Sequence, residues 1–319
     1  MSPFTTQRRL AVTSLGEAKL IGEIRRWLST ASPRPPGGIG DDCAVLAGSM
    51  RDQLITVDPV IYGEHFDDSV PARGVGAKLF NRNLSDIASM GGRPRAAVIA
   101  LALNEQVRLD WLREFYRSLA TIARQHRVPI IGGDIAHHAS GLIATMTIIG
   151  EAPEDRPLTR QGAAAGDWIF VTGTLGGSRL GWHYKFSPRL AEGQWLARHP
   201  HVRSMMDVSD GLAKDVHALT PNACRAALDG KALPISRSAR KLATTSGVSP
   251  LHHALTDGED YELLFTLSGK ADPAAFIAEW REIFRRRLTC IGRFVKRRAR
   301  SPYTDELDLA SVHGFEHLR

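Results

Sequence analysis

The sequence predicts a two-domain protein of mixed α and β structure, the α+β class. Three observations carry that prediction. Its 319 residues suit two domains at roughly 150 residues each. Hydrophobic residues at 43% and charged residues at 24% are the usage of an ordinary globular chain, not of a fibrous or disordered one. Two apolar, β-rich blocks flank a turn-rich stretch, Glu151-Ala152-Pro153-Glu154-Asp155-Arg156-Pro157, whose prolines interrupt strand and helix alike. The expected domains are therefore 1–151 and 152–319.

In chain order, apolar residues at helical spacing predict a helix over Ser14–Leu28, and a β-rich run predicts a strand at Leu54–Val57. A helix over Gly74–Met90 follows, on which Val75, Leu79, Leu84 and Ile87 form an apolar face while Asn83 and Asp86, three apart, share another. Ala96–Leu103 reads as a strand, Leu109–His126 as a helix, and Val128–Ile131 and Leu142–Ile149 as strands. Beyond the turn-rich stretch, strands are expected at Trp168–Thr172 and Glu262–Leu267, with helices near Leu212–Leu219 and Ala274–Arg286.

Several function classes are set aside on composition. The longest apolar stretch, Ala96 to Leu103, is far short of the ~20 residues a membrane-spanning helix requires, and the first twenty residues lack the apolar core of a secretory signal. Cys43, Cys224 and Cys290 are scattered, giving neither a disulfide framework nor a paired-cysteine metal site. A cytoplasmic protein without membrane association is expected. The net charge of +7 is partly local, at Arg285-Arg286-Arg287 and Lys296-Arg297-Arg298. Those runs lack the interleaved aromatics of a stacking platform, so no nucleic-acid partner is expected.

The chemistry lies in the acids. Five times an apolar run or a glycine turn delivers an aspartate: at Gly40-Asp41-Asp42, Thr56-Val57-Asp58, Gly132-Gly133-Asp134, Asp207-Val208-Ser209-Asp210 and Asp257-Gly258-Glu259-Asp260. A single Asp-Gly turn means little. Carboxylates gathered at one locus repel one another unless cations neutralise them, and magnesium prefers oxygen ligands and bridges carboxylates to phosphates. Phosphoryl transfer is the reaction this favours. The phosphate loops and kinase motifs of the common nucleotide-binding folds are missing, so any ATP is held by another architecture.

Five blocks, taken in order, resemble the thiamine-monophosphate kinase family: Gly38-Ile39-Gly40-Asp41-Asp42-Cys43-Ala44, Asn83-Leu84-Ser85-Asp86-Ile87-Ala88-Ser89-Met90-Gly91, Gly132-Gly133-Asp134, Met206-Asp207-Val208-Ser209-Asp210-Gly211-Leu212 and Gly258-Glu259-Asp260-Tyr261-Glu262-Leu263-Leu264-Phe265. The resemblance runs from about residue 15 to Gly314-Phe315-Glu316-His317. It implies an aminoimidazole-ribonucleotide-synthetase-like fold: an N-terminal mixed domain that binds ATP and magnesium and dimerises through its sheet, and a C-terminal α/β domain that completes the active site. It implies transfer of the ATP γ-phosphoryl group onto thiamine monophosphate, several Mg2+ ions, and a homodimer. By position, Asp42, Thr56, Asp58, Asp86, Asp134, Asp207 and Asp210 would hold metal. Gly133, Asp134, Arg160 and Ser209 would contact ATP. His65, Glu259 or Asp260, and Phe315 would contact the acceptor. No catalytic base is expected, because the acceptor is itself an ionised phosphate.

The chain departs from the family pattern at four places, one being Pro59 directly after Asp58. Val57 stands where a hydroxyl usually precedes the Asp58 position, Ile135-Ala136 stands where polar residues usually follow Asp134, and Asp257 adds a carboxylate beside Gly258. Two further readings stay open on these residues: a kinase or synthetase of the same fold acting on another small metabolite, and a nucleotide-binding regulator without turnover.

Overall fold

The computed structural model describes residues 2–34, 37–39, 44–154, 156–310, 312 and 314–315. The chain divides into two compact units, Met1–Ile87 with Arg93–Ala152, and Ala88–Gly92 with Pro153–Arg319.

The first unit contains α1 (Glu17–Leu28), β1 (Gln53–Ile61), most of α2 (Ala72–Ser89), β2 (Arg93–Leu103), α3 (Leu109–His126), β3 (Ile130–His137) and β4 (Leu142–Glu151). Its four strands run in the order β1-β4-β2-β3, with only β2 and β3 parallel. Pro59 lies within β1, which its edge position permits because a proline there breaks no ladder on a second side. Alternation gives the sheet two unlike faces. Ala144, Met146 and Ile148 of β4 are buried, whereas Ile143, Thr145, Thr147 and Ile149 are only half covered. The buried layer includes Leu79, Leu84 and Ile87 of α2 and Trp111, Phe115 and Leu119 of α3. Phe66, Trp111 and Phe115 stack in series, with centroids 6.1 and 5.6 Å apart. Helices α2 and α3 touch closely at Gly76, where an added Cβ would meet the Phe115 carbonyl at 2.6 Å.

The second unit contains β5 (Trp168–Thr172), α4 (Trp182–Lys185), α5 (Leu190–Arg198), β6 (Val202–Asp207), α6 (Leu212–Leu219), β7 (Cys224–Leu228), α7 (Arg237–Ser246), α8 (Pro250–Thr256), β8 (Leu263–Leu267), α9 (Pro273–Ile283) and β9 (Leu288–Lys296). Its five strands form a fully antiparallel sheet in the order β6-β8-β5-β9-β7. Ile169 and Val171 of β5 enter one core with Leu212, Val216 and Leu255, while Phe170 between them enters another with Leu196, Phe276 and Trp280. Side-chain caps fix three helix starts: Ser236 accepts from the Ala239 amide, Ser249 from His252 ahead of Pro250, and Asp272 from Ala274 ahead of Pro273.

Every strand and helix expected from the sequence is present, with two informative changes in extent. The strand expected at Val128–Ile131 runs as β3 from Ile130 to His137, so Gly132-Gly133 form strand and no turn. The final helix stops at Ile283, before the arginine run, because Phe284 turns to an extended conformation. Helices α4, α5, α7 and α8 and strands β6, β7 and β9 lie outside the elements expected from the sequence.

Candidate functional site

In the first unit, β1 and α2 bring three of the expected metal-binding residues together. Thr56 and Asp58 are two apart on β1 and therefore share a face, the one turned toward α2. The Thr56 hydroxyl donates to the Asp86 carboxylate on α2. Arg82, one helical turn before Asp86, places Nε 3.2 Å from Asp58 Oδ2 and donates from Nη2 to Oδ1 at 3.3 Å. Asn83, also buried, donates to the Leu79 carbonyl at 2.9 Å and to the Asp58 carbonyl at 3.4 Å. It braces the strand against the helix.

The register separates Asp134 from this group. Asp58, Met146, Ile99 and Gly133 lie in one row across the sheet, whereas Asp134 pairs with Ala100, in the row of Thr145 and Pro59. Alternation therefore puts Asp134 on the opposite face from Asp58, with two strands between them. Gly133 admits no side chain, since a Cβ there would lie 2.0 Å from the Ile99 carbonyl. Val57 also belongs to that opposite, open face, so a hydroxyl at this position would point away from Asp58. Thr56 supplies the hydroxyl on the acidic face. Asp42 lies outside the described residues.

His65 sits in the turn after β1. Its Nδ1 accepts from the Ile61 amide at 3.3 Å, and its carbonyl accepts at 2.7 Å from Lys78 Nζ, a lysine wholly buried on α2.

In the second unit, two loops at the end of the sheet run side by side. The Glu259 amide donates to the Ser209 carbonyl at 2.7 Å and the Tyr261 amide to Val208 at 2.9 Å. Gly258 has φ +68° and no space for a side chain against Ser209. The Phe315 amide donates to the Asp210 carbonyl at 2.9 Å, and Lys214, 2.8 Å from the Asp210 carboxylate, also donates to the Phe315 carbonyl. Ser209, Asp210, Glu259 and Phe315 are thus one neighbourhood, with Asp207 buried at the end of β6. Arg160 is exposed, beside Thr159, whose carbonyl accepts from the Met205 amide of β6.

Asp260 and Glu259 have different settings. Asp260 is buried, its Oδ1 accepts from the Gly176 amide at 2.8 Å, and burial pushes its carboxyl well above the usual range. It pins the glycine loop and presents nothing to solvent, which favours Glu259 between the two alternatives. Glu259 is the accessible acid of the two, with His183 Nδ1 at 3.6 Å. Asp257 binds the Gly177 amide at 2.7 Å and His253 at 2.8 Å.

Sequence reasoning missed Asp215, Arg189 and Arg82. Asp215, on the first turn of α6, accepts from the Ser209 and Asp210 amides at 3.0 and 3.1 Å. Its carboxyl is pushed up to about 8, first by burial and then by the charges of Asp207 and Asp210. Arg189 and Glu262 form a buried bidentate pair at 2.7 and 2.5 Å, joined by Thr172. Arg82 is the third. An acid at a helix start and a basic residue amid an apolar helical pattern were the available signals.

Among the described residues, no three histidine, cysteine or acidic side chains gather closely enough to hold an ion unaided. The Thr56, Asp58 and Asp86 oxygens nonetheless suit a hard cation completed by phosphate oxygens.

Residues 40–152 match the family model for the N-terminal domain of AIR synthase related proteins. The chain is 34% identical over 294 residues to a thiamine-monophosphate kinase of Rhodopirellula baltica, covering 88% of this chain and 92% of that protein. It belongs to the thiamine-monophosphate kinase family. The fold agrees: the crystal structure of a family member from Stenotrophomonas maltophilia superposes with a TM-score of 0.73 at 30% identity, over 92% of this chain and 98% of the other. A structure of AaThiL complexed with AMPPCP and TMP superposes at 0.68 with 27% identity, over 89% and 92%. Among the described residues, no helix is long and apolar enough to cross a membrane.

Proposed function

We propose that this chain is a magnesium-dependent kinase that transfers the ATP γ-phosphoryl group to thiamine monophosphate, yielding thiamine diphosphate, in the cytoplasm. The observation that carries the reading is the Thr56–Asp58–Asp86 group, an all-oxygen donor set in a chain matching the family along nearly its whole length. Thr56, Asp58 and Asp86 would hold Mg2+ in the first unit, and Asp207 and Asp210 in the second. Bound there, the ions would neutralise charge on the phosphates and orient them. Asp42 and Asp134 keep their proposed ligand roles on the family pattern alone.

The chain's own residues align and discriminate. Gly133 lets backbone approach a bulky anion, and Ser209 and Arg160 offer donors to ATP. Glu259 and Phe315, with His65, are assigned to the acceptor; Phe315 is 43% exposed and gives an aromatic face to a heteroaromatic ring. None of these groups has to take a proton, because the attacking oxygen is already ionised. The decisive experiment measures ADP release and thiamine diphosphate formation with ATP, with and without thiamine monophosphate. Acceptor-dependent release is expected. ATP binding without release in either case would replace this reading with that of a regulator, and release only with other acceptors would keep the kinase but change its substrate.

We further propose a homodimer through the open face of the four-stranded sheet. Ile55 and Val57 of β1 are 71% and 59% exposed there, beside the half-covered Thr147 and Ile149. An apolar sheet face of this kind calls for a cover, and a second copy offers the same surface. Light scattering should give twice the chain mass, and Val57→Lys should give the single mass.

A further inference from the structure

We propose that Arg82 is a built-in cation of the Thr56–Asp58–Asp86 group, a standing counter-ion that offsets Asp58 and keeps the group assembled before any divalent ion binds. The proposal deepens the magnesium-dependent reading above and rests on it.

The side chain is placed as a fixed counter-ion would be. Arg82 is only 9% exposed, on a helix packed against the sheet. Its guanidinium spans both Asp58 carboxylate oxygens, at 3.2 and 3.3 Å, and donates from Nη1 to the Pro59 carbonyl at 2.6 Å. Pro59 makes that third contact available, because its carbonyl belongs to an edge strand. Asp86 follows Arg82 by four residues and so lies one turn along the same helix face. Two carboxylates brought into one partly dry site repel each other, and each is costly to leave without a cation.

A guanidinium answers this differently from a metal ion. It does not deprotonate at any working pH, its planar fork matches a carboxylate, and it cannot dissociate. Its single charge offsets one of the two acids permanently. The acidic group should therefore be assembled in the free protein, with a smaller demand for divalent ions than its count of carboxylates suggests.

The test follows the melting midpoint of the full-length protein, without nucleotide, in chelator and across a magnesium titration at constant ionic strength. Wild type should barely respond. Arg82→Met should melt lower in chelator, by on the order of 5–10 °C, and magnesium should restore most of the loss. Adding Asp58→Asn to Arg82→Met should remove both the deficit and the response, placing the rescuing ion at Asp58. Should Arg82→Met fail to fold in either condition, Arg82→Lys and Arg82→Gln decide: the lysine variant should follow wild type and the glutamine variant should respond to magnesium. Equal behaviour of those two, or an Arg82→Met deficit that magnesium leaves untouched, overturns the proposal. The underlying reading fails separately, if wild-type turnover persists undiminished in chelator.

Discussion

The two units manage crowded carboxylates by different means. In the first, Asp58 and Asp86 are met by side chains, a guanidinium and a hydroxyl reaching from the facing element. In the second, Asp215 and Asp260 are met by backbone amides and by burial, which raises both carboxyls. The first arrangement sets a charged donor and a hydroxyl against its acids. The second spends acids on holding loops, leaving Asp210 and Glu259 at the surface those loops present. Count of carboxylates is therefore a poor guide to function; what meets each one decides.

Three substitutions break or sharpen this contrast. The largest effect is expected at Arg189→Met, which leaves buried Glu262 with only the Thr172 hydroxyl and the more distant Arg286, at 3.8 Å. Loss of one partner of a buried pair typically costs ~3–5 kcal/mol, to be read by chemical denaturation. A loss below ~1 kcal/mol would show that water reaches Glu262 and that the second unit is not dry behind its loops. Next, Asp86→Asn should keep the fold and lower kcat by roughly 10²–10³-fold, the usual range for removing one preorganised charge contact. Near-normal turnover would take Asp86 out of the site.

The smallest effect is expected at Asp260→Asn. Burial raises the Asp260 carboxyl, so its contribution to stability is fully present below the unfolded value of 3.8 and is lost as pH rises toward the folded one. The amide can still accept from the Gly176 amide, so the variant should lie within about 1 kcal/mol of wild type at low pH. It should gain on wild type as pH rises. Parallel melting curves at every pH would mean that Asp260 is ionised in the folded protein, and that the second unit, too, stabilises charge.

The elements that were legible from the sequence are those with a strong period: α2 with its buried Val75, Leu79, Leu84 and Ile87, and α3 with its aromatic row. Asp58, Asp86 and Asp210 were legible because glycine and apolar flanks isolate them. Helix α7 was not, since its ten residues bury only Ala239. Strand β9 was obscured because it lies between two basic runs that dominate the local composition. The placement of Asp134 depends on a register shift between Ala97 and Val98, a tertiary feature that no local pattern encodes. Asp260 and Glu259 are adjacent in sequence, and only the backbone path separates a buried anchor from an accessible acid.

The pairing of β1 sets the order in which the protein can be made. Every ladder partner of β1 belongs to β4, which emerges from the ribosome roughly 80–100 residues later. At 5–20 residues per second the strand bearing Thr56 and Asp58 waits on the order of 5–20 s for its neighbour. During that interval Ile55, Val57 and Val60 have no sheet to join, and the segment is a target for chaperones. A nascent chain halted before residue 142 should be cut readily within 53–61, whereas one carrying β4 should resist. The strand that bears Thr56 and Asp58 is thus among the last parts of that unit to become native.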